Sequence, residues 1–284
     1  MTTPPPDGSR DRRIEDPSNR WIVHPLARAL LPIAIRWRVP ANAVSVLGFA
    51  CGAGAAAAYA QWQNPWAAAV GLLLCVAWLV ADGLDGMVAR ATDTASALGR
   101  FLDGSCDHAV FVLIYVSIAL SIGTAGGWAL AVTAGVAHAV QSSLYEGDRA
   151  RFHRRLKGVA ELAPPPLPLN PLVRLYDLVA GSIGRTTRPF EAALATASQP
   201  VELGRAYAAR AVAPMRLLSL LTANVRVGAI FLACLAGLPT AFWWFEIVPL
   251  TLVAAIGLFW HRRVEARFAP HRSSRKGASP SSYA

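Results

Sequence analysis

Long apolar segments alternate with polar connections along most of the chain. Each of six such segments has roughly the 20 residues that an α-helix needs to cross the hydrocarbon core of a bilayer. The pattern therefore predicts an all-α integral membrane protein with six transmembrane helices, at roughly 41–61, 65–85, 105–123, 126–145, 218–237 and 241–260.

The regions outside these segments predict further organisation. Residues 19–38 mix Trp21 and Leu26 with arginines, which favours an amphipathic helix on the cytosolic membrane interface over a solvated linker. In the long fourth connection, apolar patterns predict surface helices at 171–183 and 189–212. The expected division is a disordered tail over 1–18, the interfacial helix over 19–38, a membrane domain over 39–262 with a cytosolic insertion over 146–217, and a basic disordered tail over 263–284.

Composition and charge also indicate a membrane protein. Hydrophobic residues make up 54% of the chain and charged residues 15%. All but one of the 27 Lys and Arg residues lie before the first segment, between the second and third, between the fourth and fifth, or after the sixth. By the positive-inside rule, these parts and both termini face the cytosol of a multi-pass protein in the inner (cell) membrane. The net charge of +10 then suits anionic lipid headgroups, and we expect no nucleic acid partner.

Two pairs of aspartates flank the connection between the second and third segments. Asp82 and Asp85 are three residues apart, and Asp103 and Asp107 are four apart, so on helices each pair projects from one face. If the two helices are antiparallel neighbours, the four carboxylates converge near one membrane surface. A pair of hard divalent cations would offset their repulsion, whereas the simpler alternative is two acidic clusters that face water.

The residues between the aspartates complete a longer pattern. Glycines leave room for a phosphate near the helix ends, and Arg90 and Arg100 are placed to hold anionic oxygens. The spacing D-x2-D-G-x2-A-R-x8-G-x3-D-x3-D resembles the motif of the CDP-alcohol phosphatidyltransferases, in particular the phosphatidylinositol phosphate synthase-like members. The residues that carry the resemblance are Asp82, Asp85, Gly86, Ala89, Arg90, Gly99, Asp103 and Asp107.

The resemblance implies a reaction and a metal requirement. An alcohol would attack the β-phosphorus of a CDP-linked lipid such as CDP-diacylglycerol, and CMP would leave. Two Mg²⁺ ions, for which Mn²⁺ can substitute, would be held by Asp82, Asp85 and Asp103. Asp107 would bind the second ion and take the proton from the attacking hydroxyl. The family also implies a homodimer in the lipid bilayer.

The resemblance further implies a binding site for the CDP-linked lipid donor. Asn42 and Ser45, at the start of the first segment, match a turn that touches the diphosphate in related synthases, although either side chain is equally a candidate helix cap. The donor-binding residues implied in this way are Asn42, Ser45, Gly86, Ala89, Arg90, Ser96 and Gly99.

Basic residues provide candidates for acceptor binding. Arg149 and Arg151 follow the fourth segment, where they are either topological anchors or ligands of a phosphate on the acceptor. Arg226 lies inside the fifth segment, where an unpaired charge is costly, so we expect its partner to be the aspartate cluster or the acceptor's phosphate. These arginines favour inositol phosphate or another phosphorylated polyol as acceptor. Glycerol 3-phosphate or a neutral alcohol is the alternative within the same chemistry.

A function of a different class would be a non-enzymatic transporter or scaffold that binds cations with the same carboxylates. A path across the membrane would need further acidic residues within the apolar segments. Glu246, predicted near the outer side, is the one acidic residue in the other segments, so the sequence favours the enzyme.

Overall fold

The structure, a computed structural model, describes residues 11–94, 97–161 and 188–269; for residues 97–105 and 188 it describes the backbone alone. Throughout these ranges the regular secondary structure is helical and contains no strand, which confirms the all-α prediction. The α-helices are α1 (His24–Arg36), α2 (Ala41–Tyr59), α3 (Pro65–Ala91), α4 (Ala97–Ile122), α5 (Ala125–Leu156), α6 (Arg188–Thr196), α7 (Pro200–Leu218), α8 (Ala223–Leu235), α9 (Pro239–Phe245) and α10 (Thr251–Ala266).

Three short helical segments of other types join these helices. A π-helical turn, Asn19–Val23, precedes α1, and a 3-10 turn, Ser219–Leu221, follows α7. A second π-helical segment, Glu246–Leu250, joins α9 to α10 and contains Pro249. Proline has no backbone N–H to donate, so the regular α-helical bonding is interrupted there.

The chain divides into two compact units. The first includes the described residues up to Gly147 and resumes over Met215–Gly257. The second consists of Asp148–Pro214 and the part that begins at Leu258, again as far as the structure describes them. Both aspartate pairs fall in the first unit.

Small residues allow the helices of the first unit to pack closely. α2 packs against α3 and α4, and α3 also contacts α1 and α8. A Cβ atom at Gly48 of α2 would lie 3.0 Å from the Cβ of Ala81, and one at Gly52 would collide with Val110 of α4. The glycines of α2 therefore serve close helix packing, as is common in membrane proteins.

Several helices have the length and composition of membrane spans. Among the described residues, α2, α3 and the continuous stretch Pro239–Ala266 are long and apolar enough to cross a bilayer. The stretches Pro200–Leu221 and Ala223–Leu235 qualify together as a fourth span, bent by 43°. Cys106–Ile122 is apolar but shorter. The structure thus supports three or four candidate spans, and the full set of six stays a prediction.

The described part of the N-terminal segment contacts the rest of the first unit. Ile14 and Asp16 are buried. Asp16 accepts hydrogen bonds from the backbone and hydroxyl of Ser18 and from Asn19. It also accepts bonds from Thr222 (3.1 Å) and Asn224 (3.2 Å), at the start of α8. This carboxylate therefore joins the beginning of the chain to a helix far along the sequence.

Other elements differ from the predicted boundaries. The fourth apolar segment was predicted to end near residue 145, but α5 continues to Leu156. The fifth contains a break at Thr222, whose extended backbone separates the 3-10 turn from α8. Two helices, α6 and α7, occupy the region predicted as one helix at 189–212. The helix predicted at 171–183 lies outside the described residues.

The region predicted as an interfacial helix is helical. It consists of the first π-helical turn and α1, which contains Pro32. Ala27 and Ala34 are buried, whereas Trp21 and Ile33 are exposed. An exposed apolar surface of this kind is what a helix at a lipid interface requires.

Candidate active site

The C-terminal half of α3 carries one face of the candidate site. Trp78, Asp82 and Asp85 follow one another at spacings of four and three residues, so their side chains project in the same direction. α3 continues beyond them to Ala91, which places both aspartates on regular helix. The sequence predicts this arrangement for the two aspartates but does not single out Trp78.

The aspartates from the two flanking helices meet in one pocket. The space in and in front of this partly open pocket, solvent included, is about 180 Å³. The lining comes from α2, α3 and α4. The residues that line it are Ser45, Trp78, Asp82, Asp85, Cys106 and Asp107. Asp103 lies one turn before Asp107 on α4, and its side chain is outside the described part of the structure. The expected convergence of α3 and α4 carboxylates is therefore present for three of the four residues.

Neutral donors hold two of these carboxylates. The Ser45 hydroxyl donates to Oδ2 of Asp85 at 2.5 Å, and the Trp78 indole donates to Oδ1 of Asp107 at 3.2 Å. Asp85 is buried, whereas Asp107 is partly exposed. Neither donor carries a charge, so these two bonds add no positive charge to the pocket.

The donor set of the pocket fits a hard divalent cation. Carboxylate oxygens are the ligands that Mg²⁺ and Mn²⁺ prefer, and three aspartates supply them here. Across the residues that the structure describes, no three His, Cys, Asp or Glu side chains are close enough together to enclose a metal ion. The Asp103 side chain lies outside that description, so the two-ion site remains a prediction.

The predicted donor-binding residues lie around the ends of α2 and α3. Asn42 is exposed in the first turn of α2, and Ser45 follows one turn later, inside the pocket. A Cβ atom at Gly86 would lie 3.3 Å from Nη1 of Arg90, so the guanidinium lies over the glycine backbone. Ala89 is partly buried beside them. Gly99 is described by its backbone alone, and Ser96 falls outside the described residues.

Arg226 has a different partner from those predicted. It is fully buried in α8, and its Nε donates to Oε1 of Glu246 at 2.8 Å. One Nη nitrogen donates to the Leu221 carbonyl, and the other donates to Oε1 of Gln141 at 2.8 Å. Arg226 is not among the residues that line the aspartate pocket. The reasoning that the guanidinium needs an anionic partner holds, but that partner is a carboxylate of the chain itself.

Arg149 and Arg151 lie in the second unit. Arg149 is exposed, whereas Arg151 pairs with the buried Asp148. Asp148 also lies 2.9 Å from Nδ1 of His261 and 2.8 Å from a guanidinium nitrogen of Arg262. Burial alone would raise the pKa of Asp148, but the hydrogen bond from His261 and the charges of Arg262 and Arg151 hold it well below its ordinary value. An acceptor role for Arg149 and Arg151 remains a prediction.

The residues that the sequence analysis missed left recognisable signals. Trp78 is four residues before Asp82, which places it on the same helix face as the motif aspartates. Arg226 and Glu246 are opposite charges in the fifth and sixth apolar segments, so each was the natural partner of the other.

The fold and the pocket together define a class of protein. Helices with the composition of membrane spans carry an acidic pocket suited to cation-dependent chemistry. A comparison with the sequence models of known families gives a more specific result for part of the chain. Residues 38–149 match the sequence model of the CDP-alcohol phosphatidyltransferase family, which covers α2, α3, α4 and most of α5.

Every residue that lines the pocket lies inside this matched region. Members of this family are transferases of phospholipid biosynthesis, generally dependent on divalent metal ions. No curated protein shows a significant match to the chain.

Proposed function

We propose that the protein transfers a phosphatidyl group from CDP-diacylglycerol, or a similar CDP-linked lipid, to the hydroxyl of an acceptor alcohol and releases CMP. The observation that carries this proposal is the pocket in which Asp82, Asp85 and Asp107 meet, within the matched domain. In the reaction, the acceptor oxygen forms a bond to the β-phosphorus, and the bond from that phosphorus to the oxygen of CMP breaks. The hydroxyl proton passes to the enzyme.

The carboxylates of the pocket have separate roles in this proposal. Asp82, Asp85 and Asp103 hold two Mg²⁺ ions, for which Mn²⁺ can substitute, and Asp107 completes the second site. When bound, the ions neutralise charge on the diphosphate and lower the pKa of the attacking hydroxyl. Asp107 accepts the hydroxyl proton. Its Oδ1 accepts a hydrogen bond from the Trp78 indole.

Residues around the ends of α2 and α3 bind the donor. Arg90 is exposed in the last turn of α3, and a guanidinium can make paired hydrogen bonds to phosphate oxygens. Gly86 has no side chain, which leaves room for the Arg90 guanidinium close to the backbone. Asn42, Ala89, Ser96 and Gly99 complete the proposed donor site. Ser45 contributes by holding Asp85 in place.

The proposed setting is a six-span homodimer in the inner (cell) membrane with its pocket facing the cytosol. The distribution of the 27 Lys and Arg residues supports this orientation. The exposed Trp21 and Trp37, on either side of α1, suit the headgroup region of a bilayer. A lipid donor can then reach the pocket from the membrane while a polar acceptor arrives from the cytosol.

For the acceptor we propose inositol phosphate or another phosphorylated polyol, as in the phosphatidylinositol phosphate synthase-like members. The exposed Arg149 supports a phosphorylated acceptor. Arg226 does not support a phosphorylated acceptor, because its guanidinium donates hydrogen bonds to Glu246, Gln141 and the Leu221 carbonyl. Glycerol 3-phosphate and neutral alcohols are therefore included in the test. The pairing of Glu246 with Arg226 also removes the one acidic residue that a transport path would have used.

The proposal is tested by following CMP release from CDP-diacylglycerol with Mg²⁺ and a panel of alcohols, using the purified full chain. Asp82→Asn, Asp85→Asn, Asp103→Asn and Asp107→Asn should each abolish release while the protein still inserts in the membrane. Asp93→Asn is the matched control, because Asp93 is exposed, outside the motif, and has a positive φ that asparagine also tolerates. Activity that persists in two or more of the four variants would overturn the assignment of the pocket.

A further inference from the structure

We propose that Trp78 is a positioning residue that fixes the carboxylate of Asp107 relative to the two aspartates of α3. This inference rests on the proposed function, because it assigns the part that Trp78 plays in the same pocket. The indole nitrogen lies 3.2 Å from Oδ1 of Asp107, and the bond joins α3 to α4 directly at the site.

Neighbours on both sides hold the indole in place. Trp78 is 2% exposed, and its ring packs edge-on against Phe111 of α4, with centroids 5.5 Å apart. On the other side α2 approaches closely, because a Cβ atom at Gly48 would lie 3.7 Å from Cδ1 of the indole. A ring packed between α2 and α4 has little freedom to turn, so its N–H direction is set before any ligand binds.

The chemistry of the indole suits this task. It has one N–H donor, no acceptor and no charge near neutral pH, so it does not compete with a carboxylate for a cation. Because Trp78, Asp82 and Asp85 share one face of α3, the indole ties Asp107 to the helix that carries the other two carboxylates. In metal and proton-transfer sites the functional groups must be held within about 0.5 Å of their productive positions. Supporting hydrogen bonds hold them there.

The experiment compares Trp78→Phe with Trp243→Phe. Each substitution removes the same atoms from a buried tryptophan of the first unit. The Trp243 indole nitrogen has no hydrogen-bond partner among the described residues, which makes it the control for lost volume without a lost bond. Three quantities are measured on the full chain: kcat for CMP release, Mn²⁺ affinity by electron paramagnetic resonance without substrates, and the midpoint of thermal unfolding.

Supporting groups around metal sites typically contribute about 10- to 100-fold in affinity or activity. We expect Trp78→Phe to lower kcat or Mn²⁺ affinity at least about fivefold more than Trp243→Phe does, with the KM for the CDP-linked lipid nearly unchanged. A smaller difference in both quantities would overturn the inference. A purely structural role would instead lower the unfolding midpoint and leave kcat and Mn²⁺ affinity of the folded protein equal in the two variants.

A second measurement does not depend on the stability of Trp78→Phe. In wild-type protein labelled with ¹⁵N-tryptophan, the Trp78 indole N–H signal should shift on Asp107→Asn and stay in place on Asp93→Asn. An unmoved signal would contradict the hydrogen bond itself. If the wild type releases no CMP with any alcohol, the proposed function fails, while the Mn²⁺ comparison and this signal still decide the role of Trp78.

Discussion

The pair formed by Arg226 and Glu246 gives the sharpest test of the structure. Both side chains are fully buried, and the guanidinium donates to Glu246, Gln141 and the Leu221 carbonyl. Replacing Arg226 by Met keeps a side chain of similar reach but leaves the Glu246 carboxylate buried without its cation. Removing one partner of a buried ion pair costs about 3–5 kcal/mol.

This cost translates into a large change in thermal stability. For a chain of this size, a loss of about 3–5 kcal/mol lowers the unfolding midpoint by roughly 6–20 °C, at about 2–4 °C per kcal/mol. Glu246→Gln should destabilise in the same direction, because it leaves the guanidinium without its counter-charge. The double variant Arg226→Met/Glu246→Gln should be more stable than the sum of the single effects predicts.

The assay is thermal unfolding in detergent, combined with KM values for both substrates on the same preparations. Arg263→Met is a suitable control, because Arg263 is exposed in α10. If Arg226 binds the acceptor instead, Arg226→Met would raise the acceptor KM about 10- to 100-fold with little loss of stability, and Glu246→Gln would not reproduce it. That combination would refute the structural role argued here.

Three further predictions concern metal ions, Ser45 and Asp148. CMP release should stop in excess chelator and return on adding Mg²⁺ or Mn²⁺; turnover with chelator present would contradict a carboxylate metal site. Ser45→Ala, which removes the bond to Asp85, should lower kcat about tenfold or more. Ser45→Thr, which keeps a hydroxyl, should retain most of the wild-type kcat. Because the pKa of Asp148 is lowered in the folded chain, its contribution to stability is complete above its unfolded pKa of about 3.9 and is lost as pH falls below it. On acidification, the unfolding midpoint of Asp148→Asn should therefore fall less than that of the wild type. An equal fall in the two proteins would contradict the stabilising role of the network around Asp148.

Local sequence patterns accounted for the helices and for most of the pocket. Helix spans follow from apolar length, so α2, α3 and the stretch from Pro239 to Ala266 were expected from the sequence. Helical periodicity placed Asp82 and Asp85 on one face, and the short polar connection after them favoured α4 as a neighbour of α3. These features depend on residues close together in sequence, which is why they were predictable.

Interactions between distant residues were harder to predict. The sequence did not indicate that the Ser45 hydroxyl bonds to Asp85, 40 residues away. Arg226 was expected to face the aspartates or a phosphate, and it bonds to Glu246. For Arg226 the sequence showed that a buried charge needed a partner, but only the packing of the helices determined which partner it reached.

The bonds of Asp16 have a consequence for the order in which the protein is made. Its contacts with Ser18 and Asn19 are local and can form as soon as this segment leaves the ribosome. Thr222 lies 206 residues later. At typical translation rates of about 5–20 residues per second, its synthesis follows after roughly 10–40 s. The start of the chain must therefore wait until the beginning of α8 has been made before the first unit can close.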